Sequence, residues 1–251
     1  MSQVRVLHRA LETERRGIQV DTYMNEASSA PVCAGIIMDG NRRWAKERGL
    51  SVLEGHTEGY KKLQEVVQWA REAGISHVVA YAFSTENWQR SKEEVGHLMK
   101  LFRSVLENET KKMIEERVRI RFIGDRARFG EDLRVLMENM ETVTAVTYDT
   151  TLHLAMSYGG RAEIVAAVNA LLAEEAIVTE DSFSQRLWSH PMPDPDLIIR
   201  TGGQMRLSGF LPWQSVYSEL FFTDTKWPAF TKGEFDSILA EFAQRERRRG
   251  K

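Results

Sequence analysis

The strongest constraint on the fold is an almost wholly apolar run over residues 32–38, closed by Asp39-Gly40 and followed by a second apolar run over 78–83. A short apolar run that ends at a turn signal reads as a strand buried on both faces. Polar residues 41–49 read as a loop that opens a helix. Residues 55–73 then place Tyr60, Leu63, Val66, Val67 and Ala70 on one helical face, and Gly74 ends that helix. Strand, helix and strand in so short a span form a βαβ unit, which calls for a parallel sheet and a right-handed crossover.

The alternation continues along the chain. Val95, Leu98, Met99, Phe102, Val105, Leu106, Met113 and Ile114 keep helical spacing over residues 92–116. At 1.5 Å per residue this predicts one helix roughly 38 Å long. Strands are expected at 118–123, 152–157, 197–200 and 219–222, and helices at 131–146, 161–173, 179–188 and 232–249. Pro191, Pro193 and Pro195 break the chain before the strand at 197–200. No repeat, low-complexity tract or linker is present. A chain of 251 residues therefore reads as a single α/β domain over 31–251, preceded by an N-terminal arm over 1–30. Its sheet is expected to be mostly parallel, with about six strands flanked by helices.

Composition excludes several classes. The 34 basic and 36 acidic residues leave a formal net charge of −2, which argues against a general nucleic-acid coat protein. Cys33 is the single cysteine; it permits no intramolecular disulfide or cysteine-rich zinc site and reads as a small buried hydrophobe in the first strand. No run of 18 apolar residues occurs and the N-terminus lacks a secretory apolar stretch, so the expected compartment is the cytoplasm. There is no GxxxxGK[ST], no GxGxxG, no GxSxG, no HExxH and no Asp-Asp pair.

In open α/β sheets ligands bind beyond the carboxyl ends of the strands. Three polar clusters fall there, at 39–44, 84–90 and 200–208, with Glu219 near the start of the last strand. The first places an acid and Arg42 and Arg43 at a helix start, which suits a phosphate. Asp39 could hold Mg²⁺ on that phosphate; the alternative is an acid that caps the helix beside solvated arginines. The third cluster holds Arg200, Arg206 and Ser208 around a glycine pair, a set of fork-shaped donors for an anion. Alone it is a glycine-rich turn; with the first cluster it points to two phosphate-bearing substrates.

Several blocks then resemble the cis-prenyltransferases, the undecaprenyl diphosphate synthase family. They are IIMDGNRRWAKERG, EGH at 54–56, YAFSTENWQRSKEEV, IRFIGDRARF, SYGGRAEI, DLIIRTGGQMRLSGFLPWQSVYSELFF and RERRRG. The resemblance covers about residues 31–250 in the family's order. It implies a homodimer that adds isopentenyl diphosphate to an allylic diphosphate such as farnesyl diphosphate. The reaction would depend on Mg²⁺, leave Z double bonds and yield an undecaprenyl-like precursor of glycan carrier lipids. It also implies a hydrophobic tunnel, walled by the helices at 92–116 and 55–73; periodicity alone makes these a plain core stripe.

By position, Asp39 matches the catalytic aspartate and a Mg²⁺ ligand. Gly40, Asn41, Arg42 and Arg43 match the loop that holds the allylic diphosphate, with Trp44 and His56 beside it. Ser84, Thr85, Glu86, Asn87, Trp88 and Arg90 match the loop that orients the second substrate. Its asparagine is assigned to proton removal, although an uncharged Asn87 is a poor base and is better suited to orienting a water or a diphosphate oxygen. Arg200, Arg206, Leu207 and Ser208 match the isopentenyl diphosphate site, Glu219 a Mg²⁺ ligand, and Arg248 and Gly250 a C-terminal segment that reaches the partner subunit. Val52, Gln204, Met205, Gly209 and Pro212 depart from the family's frequent residues. Thr150 and Met156 flank a strand expected near the tunnel. A lipophilic product implies transient contact with a membrane surface, and the near-neutral charge balance gives no nucleic-acid partner. Alternatives are a short-chain or head-to-middle synthase of the same family, or a non-catalytic partner subunit. The last is disfavoured because Asp39, Arg43, Asn87 and Arg206 are all present.

Overall fold

The first apolar run forms β1 (Cys33–Ile37), buried throughout, as a strand covered on both faces must be. In this computed structural model residues 30–246 are described. The expected arm up to residue 29, and Arg248 and Gly250, lie outside the described residues. Gly40 follows β1 with φ 114°, and α1 (Asn41–Glu47) begins at once, so the segment expected as a loop is largely helical. A Cβ on Gly40 would stand 2.8 Å from Lys226 Cβ; both the backbone angle and the space call for glycine.

Helix α2 (Val52–Glu72) starts a turn earlier than its apolar face indicates. The Ser51 hydroxyl accepts from the Glu54 N–H, and the Glu54 carboxylate accepts from the Ser51 N–H at 2.8 Å, a reciprocal cap that fixes the first turn. Next come β2 (His77–Ser84) and a 3₁₀ turn at Thr85–Gln89. The expected single helix over 92–116 is two: α3 (Lys92–Asn108) and α4 (Thr110–Glu115), broken at Glu109. The cause is local: Asn108 Nδ2 and Thr110 Oγ1 donate back to the Ser104 and Leu106 carbonyls, at 2.8 and 3.0 Å. Such bonds compete with the helical ladder.

The remaining elements are β3 (Val118–Ile123), α5 (Glu131–Thr144), β4 (Thr150–Tyr158), α6 (Gly160–Ala173), α7 (Glu180–Ser184), β5 (Leu197–Arg200), β6 (Glu219–Phe222) and α8 (Lys232–Gln244). Two expected helices are shorter than the pattern indicates. The one at 179–188 stops after Ser184, and the last ends at Gln244, where Arg245 takes an extended conformation.

All six strands are parallel, in the order β3-β4-β2-β1-β5-β6. The order turns at β1, which has β2 on one side and β5 on the other. Crevices beyond the strand ends at such a point are where open α/β sheets bind ligands. Alternate residues face opposite layers. Ile36, Val78, Ile120, Leu152 and Leu154 pack toward α2, α3 and α5; Ile37, Val79, Ile123, Ala155 and Ile198 face the other side. Cys33 is wholly buried in β1, and burial pushes its thiol far above the ordinary range.

Candidate active site

The segments after β1 and β5 meet at one carboxylate. Register pairs Ile37 with Arg200, so Asp39, two residues past Ile37, stands at the ends of both strands. Arg43 Nη2 donates to Asp39 Oδ1 at 3.0 Å, and Arg200 Nη2 donates to Asp39 Oδ2 at 2.9 Å. Two hydrogen bonds hold the Asp39 carbonyl in place: the Thr201 hydroxyl donates to it at 2.8 Å and the Trp227 backbone N–H at 3.0 Å. Asp39 therefore does not cap α1; its carboxylate is free to face the arginines.

Arg200 is only 4% exposed. Its Nη1 donates to Ser208 Oγ at 2.8 Å and to the Arg206 carbonyl, and its Nε is buried without a partner. Arg43 Nη1 donates to the Gly202 carbonyl at 2.7 Å, so the glycine pair links the two clusters. Gly202 and Gly203 hold φ values of 82° and 72°, which explains two glycines at this turn. The Arg206 guanidinium lies outside, donating to Gln204 Oε1 at 2.7 Å.

Asp39 thus stands between two basic sets. On one side is an open groove of about 920 Å³, whose lining includes Arg42, Arg43, Lys46 and Arg90. On the other are Arg200, Arg206 and Ser208. Met38, Asn41 and His56 border both that groove and a second cavity of about 140 Å³, lined by apolar residues such as Leu63, Phe83, Leu98, Phe102 and Leu154. The apolar stripes of α2 and α3 therefore line this cavity as well as the core, and Met156 lines it too.

A match to the family model described as "Putative undecaprenyl diphosphate synthase" spans residues 37–250. The chain belongs to this family of isoprenyl transferases. It is 45% identical over 221 residues to an isoprenyl transferase of Fusobacterium nucleatum, covering 88% of this chain and 96% of the relative. Lavandulyl diphosphate synthase from Lavandula x intermedia, solved with dimethylallyl diphosphate, is similar with a TM-score of 0.83 and 32% identity, covering 89% of this chain and 99% of that one. A "probable undecaprenyl diphosphate synthase" from Campylobacter jejuni gives 0.76 and 34%, covering 88% and 99%. The protein is accordingly a prenyltransferase.

For this isoprenyl transferase the loop after β2 is more structural than its motif indicates. Asn87 Oδ1 accepts from the Ser84 N–H at 3.0 Å, closing the 3₁₀ turn. Thr85 packs against Gly159, where a Cβ would come within 2.4 Å of its hydroxyl. The Trp88 indole N–H donates to Ser157 Oγ at 3.0 Å, and its ring meets Phe83 at 4.9 Å; it faces the core. Glu86 lies near Tyr81, whose phenol is raised first by burial and then by that carboxylate. Leu207 packs on the layer opposite the cavity, and Trp44 lies under the Arg48 guanidinium at 4.4 Å.

Glu219 does not join Asp39 within this chain. It pairs with Leu197, at the start of β5, whereas Asp39 lies past the end that pairs with Arg200. At about 3.3 Å per residue this separates them by roughly 16 Å along the sheet. Arg245 Nη1 donates to Glu219 at 2.8 Å instead.

Two site residues escaped the sequence reading. Lys46 follows Arg42 and Arg43 at helical spacing, and that spacing was the available signal. Glu94 is nearly buried, accepts from Arg90 Nη1 at 2.9 Å, and lies 3.3 Å from His56 Nε2 and 3.9 Å from Arg42. It joins α1, α2 and α3 beside the shared wall of groove and cavity; its position one turn after Arg90 was the clue. Burial lowers the pKa of His56, and its contact with Glu94 opposes that shift.

The departures from the family pattern are accommodated locally. Val52 lines the groove, Gln204 accepts from Arg206, and Met205 is exposed. Gly209 adopts φ 78°, and Pro212 packs against Gly160, where a Cβ would collide with it.

Among the described residues no group of three or more His, Cys, Asp or Glu could hold a metal. The donor set nevertheless suits Mg²⁺ bound with substrate, which needs only one or two carboxylates besides phosphate oxygens and water. Among the described residues no helix is long and apolar enough to cross a membrane.

Proposed function

We propose that this protein elongates an allylic diphosphate, such as farnesyl diphosphate, with isopentenyl diphosphate to give a Z-polyprenyl diphosphate, an undecaprenyl-like carrier-lipid precursor. The observation that carries the reading is the wall formed by Met38, Asn41 and His56, which a cationic groove and an apolar cavity share. An amphiphile with an anionic head and a hydrocarbon tail fits the two spaces end to end.

In this reading the allylic diphosphate lies against Arg42, Arg43, Lys46 and Arg90, with its tail in the cavity. The second diphosphate lies against Arg200, Arg206 and Ser208. When Mg²⁺ is bound it supplies charge to the leaving diphosphate, and Asp39 is the residue to hold it. The allylic C–O bond breaks, its electron pair leaves with diphosphate, and a C–C bond forms to the alkene of isopentenyl diphosphate. A proton then leaves the new chain. Preorganised guanidinium groups stabilise the developing charge and aim the alkene. Asn87 orients the acceptor of that proton, a water or a diphosphate oxygen.

A homodimer belongs to the same reading, with Arg248 and Gly250 reaching the partner's site and Glu219 contributing to metal binding outside the Asp39 cluster. So do a cytoplasmic location and transient contact of the lipid product with a membrane surface. A second reading, a short-chain or head-to-middle synthase, is favoured by the similarity to lavandulyl diphosphate synthase.

The test is incorporation of radiolabelled isopentenyl diphosphate with farnesyl diphosphate and Mg²⁺, followed by sizing of the dephosphorylated products. A ladder of long products, lost with EDTA, supports elongation. A single short product supports the second reading, and no incorporation with several allylic primers overturns both.

A further inference from the structure

The glycine pair that links the two basic clusters is held from outside the site. The Gly202 N–H donates to the Thr225 carbonyl at 2.8 Å, and the Gly203 N–H to the Thr223 carbonyl at 2.9 Å. The Thr223 N–H in turn donates to the Arg200 carbonyl at 3.0 Å. Residues 223–225, just past β6, therefore brace both the end of β5 and the glycine pair. Arg43 takes the Gly202 carbonyl as its own acceptor at 2.7 Å.

This brace ends on Glu234, in the first turn of α8. One carboxylate oxygen caps the helix: Oε2 accepts from the Thr231 N–H at 3.0 Å and from the Thr231 hydroxyl at 2.9 Å, while Thr231 Oγ1 accepts from the Glu234 N–H at 3.2 Å. A reciprocal cap needs no second oxygen. Oε1 is turned to the brace instead. It accepts from the Thr225 hydroxyl, and the Thr223 hydroxyl stands 3.5 Å from it. The Thr225 N–H donates to Thr223 Oγ1 at 3.2 Å and closes the turn on itself. Burial raises the Glu234 carboxyl, but the hydroxyl bonds from Thr225 and Thr231 outweigh it and lower its pKa. At neutral pH the group is thus an ionised acceptor at both oxygens.

We propose that Glu234 and Thr225 are positioning residues for prenyl transfer, which fix the 223–225 turn and, through Gly202 and Gly203, the placement of Arg43 and Arg200 about Asp39. This rests on the reading above, in which those two arginines serve two different diphosphates. Neither Glu234 nor Thr225 lines the groove or the apolar cavity, so both act through the turn. Gly202 and Gly203 hold positive φ values, and glycine has wide freedom there. Their two N–H bonds to the brace are what restrict it. A loosened brace shifts the Arg43 acceptor and the end of β5 together, and small misplacements in such a site lower rates steeply. Both substrates should therefore suffer alike, unlike the loss of one guanidinium.

The test compares the full-length protein with Thr225→Val, Thr225→Ser and Thr231→Val. Valine keeps the branched shape of Thr225 and removes its hydroxyl; serine keeps the hydroxyl. Thr225→Val should lower kcat/KM for both diphosphates by roughly 5- to 10-fold, the equivalent of one hydrogen bond, with both KM values rising by a similar factor. Thr225→Ser should restore most of that loss. Thr225→Ala, smaller and also without the hydroxyl, should behave as valine does. Thr231→Val weakens the α8 cap and should lower the unfolding midpoint while leaving both KM values unchanged.

A second measurement needs no turnover. Amide hydrogen exchange at Gly202 and Gly203 should be faster in Thr225→Val than in the unaltered protein or in Thr225→Ser. Unchanged exchange, a rise in KM for one substrate alone, or a serine variant as impaired as the valine one overturns the proposal. If the two-diphosphate reading itself fails, none of these proteins incorporates isopentenyl diphosphate, and the exchange rates alone decide whether Thr225 holds the turn.

Discussion

Arg200 donates to Asp39 at 2.9 Å across the junction of β1 and β5, while Arg43 holds the other Asp39 oxygen at 3.0 Å. The carboxylate thus occupies the point between two cationic sets where a diphosphate would otherwise draw both arginines. Asp39→Asn keeps the shape and removes the charge. We expect a fall in turnover of about 10²–10³-fold, the usual effect of deleting one preorganised electrostatic group. Arg200 keeps the Arg206 carbonyl and Ser208 as acceptors, so the stability loss should stay below the about 3–5 kcal/mol of a broken, fully buried ion pair. Steady-state kinetics and denaturant titration on one preparation measure both. A variant that retains most of its turnover would remove Asp39 from the chemistry.

The fork of Arg200 reaches Asp39, Ser208 and the Arg206 carbonyl together. Lysine is a point charge and cannot copy that planar fork. Losing one or two charge-assisted bonds, each about 1.5–3 kcal/mol, should lower kcat/KM for isopentenyl diphosphate by roughly 10- to 100-fold in Arg200→Lys. The loss should appear chiefly in KM for that substrate, with KM for the allylic diphosphate little changed. An equal rise in both would contradict the division of the basic residues into two sets.

Gly59 of α2 faces the Asn41 side chain at the start of α1. A Cβ there would stand 2.3 Å from Asn41 Oδ1, and the Gly59 carbonyl accepts from the Trp227 indole N–H at 2.8 Å. Gly59→Ala should therefore cost about 1–3 kcal/mol by overpacking, lowering Tm by roughly 2–10 °C. Gly96 in α3 is the control, since a Cβ there meets nothing within 4 Å. Gly96→Ala should stabilise by about 0.5–1 kcal/mol through helix propensity. Thermal unfolding of the two variants should shift in opposite directions.

The centre of the sheet was legible because β1 and β5 are short, mostly apolar and buried throughout, and burial on both faces leaves that pattern little freedom. The β1 and β5 clusters were legible for the related reason that polar residues past a buried strand must lie at the sheet's edge. The break at Glu109 was hidden, because apolar spacing passes through it and only the back-bonding of Asn108 and Thr110 interrupts the ladder. Glu94 was overlooked because, beyond Arg90 one turn before it, its partners Arg42 and His56 come from two other helices. The separation of Glu219 from Asp39 needed strand register, which a one-dimensional pattern does not carry.

His77 and His153 lie on one face of the sheet, with ring nitrogens 3.1 Å apart, away from the groove. His153 is 5% exposed. Burial, then the nearby His77 and the Arg121 and Arg119 guanidinium groups, depress its pKa from 6.5 to about 3. Between those values the unfolded chain carries a proton at this position and the folded chain does not. Stability therefore rises with pH across that window: the contribution is fully present above 6.5 and is lost as the pH falls toward 3, by at most about 1.4 kcal/mol per pH unit. His77 and His56 are lowered as well, each chiefly by burial, and add to the acid sensitivity. His153→Gln removes one titrating group while keeping a polar partner for His77. Unfolding midpoints measured from pH 7 to 4.5 at constant ionic strength should fall less steeply for the variant than for the unaltered protein. Parallel curves would mean that His153 is protonated alike in both states, and so that the pair is more open to water than its burial implies.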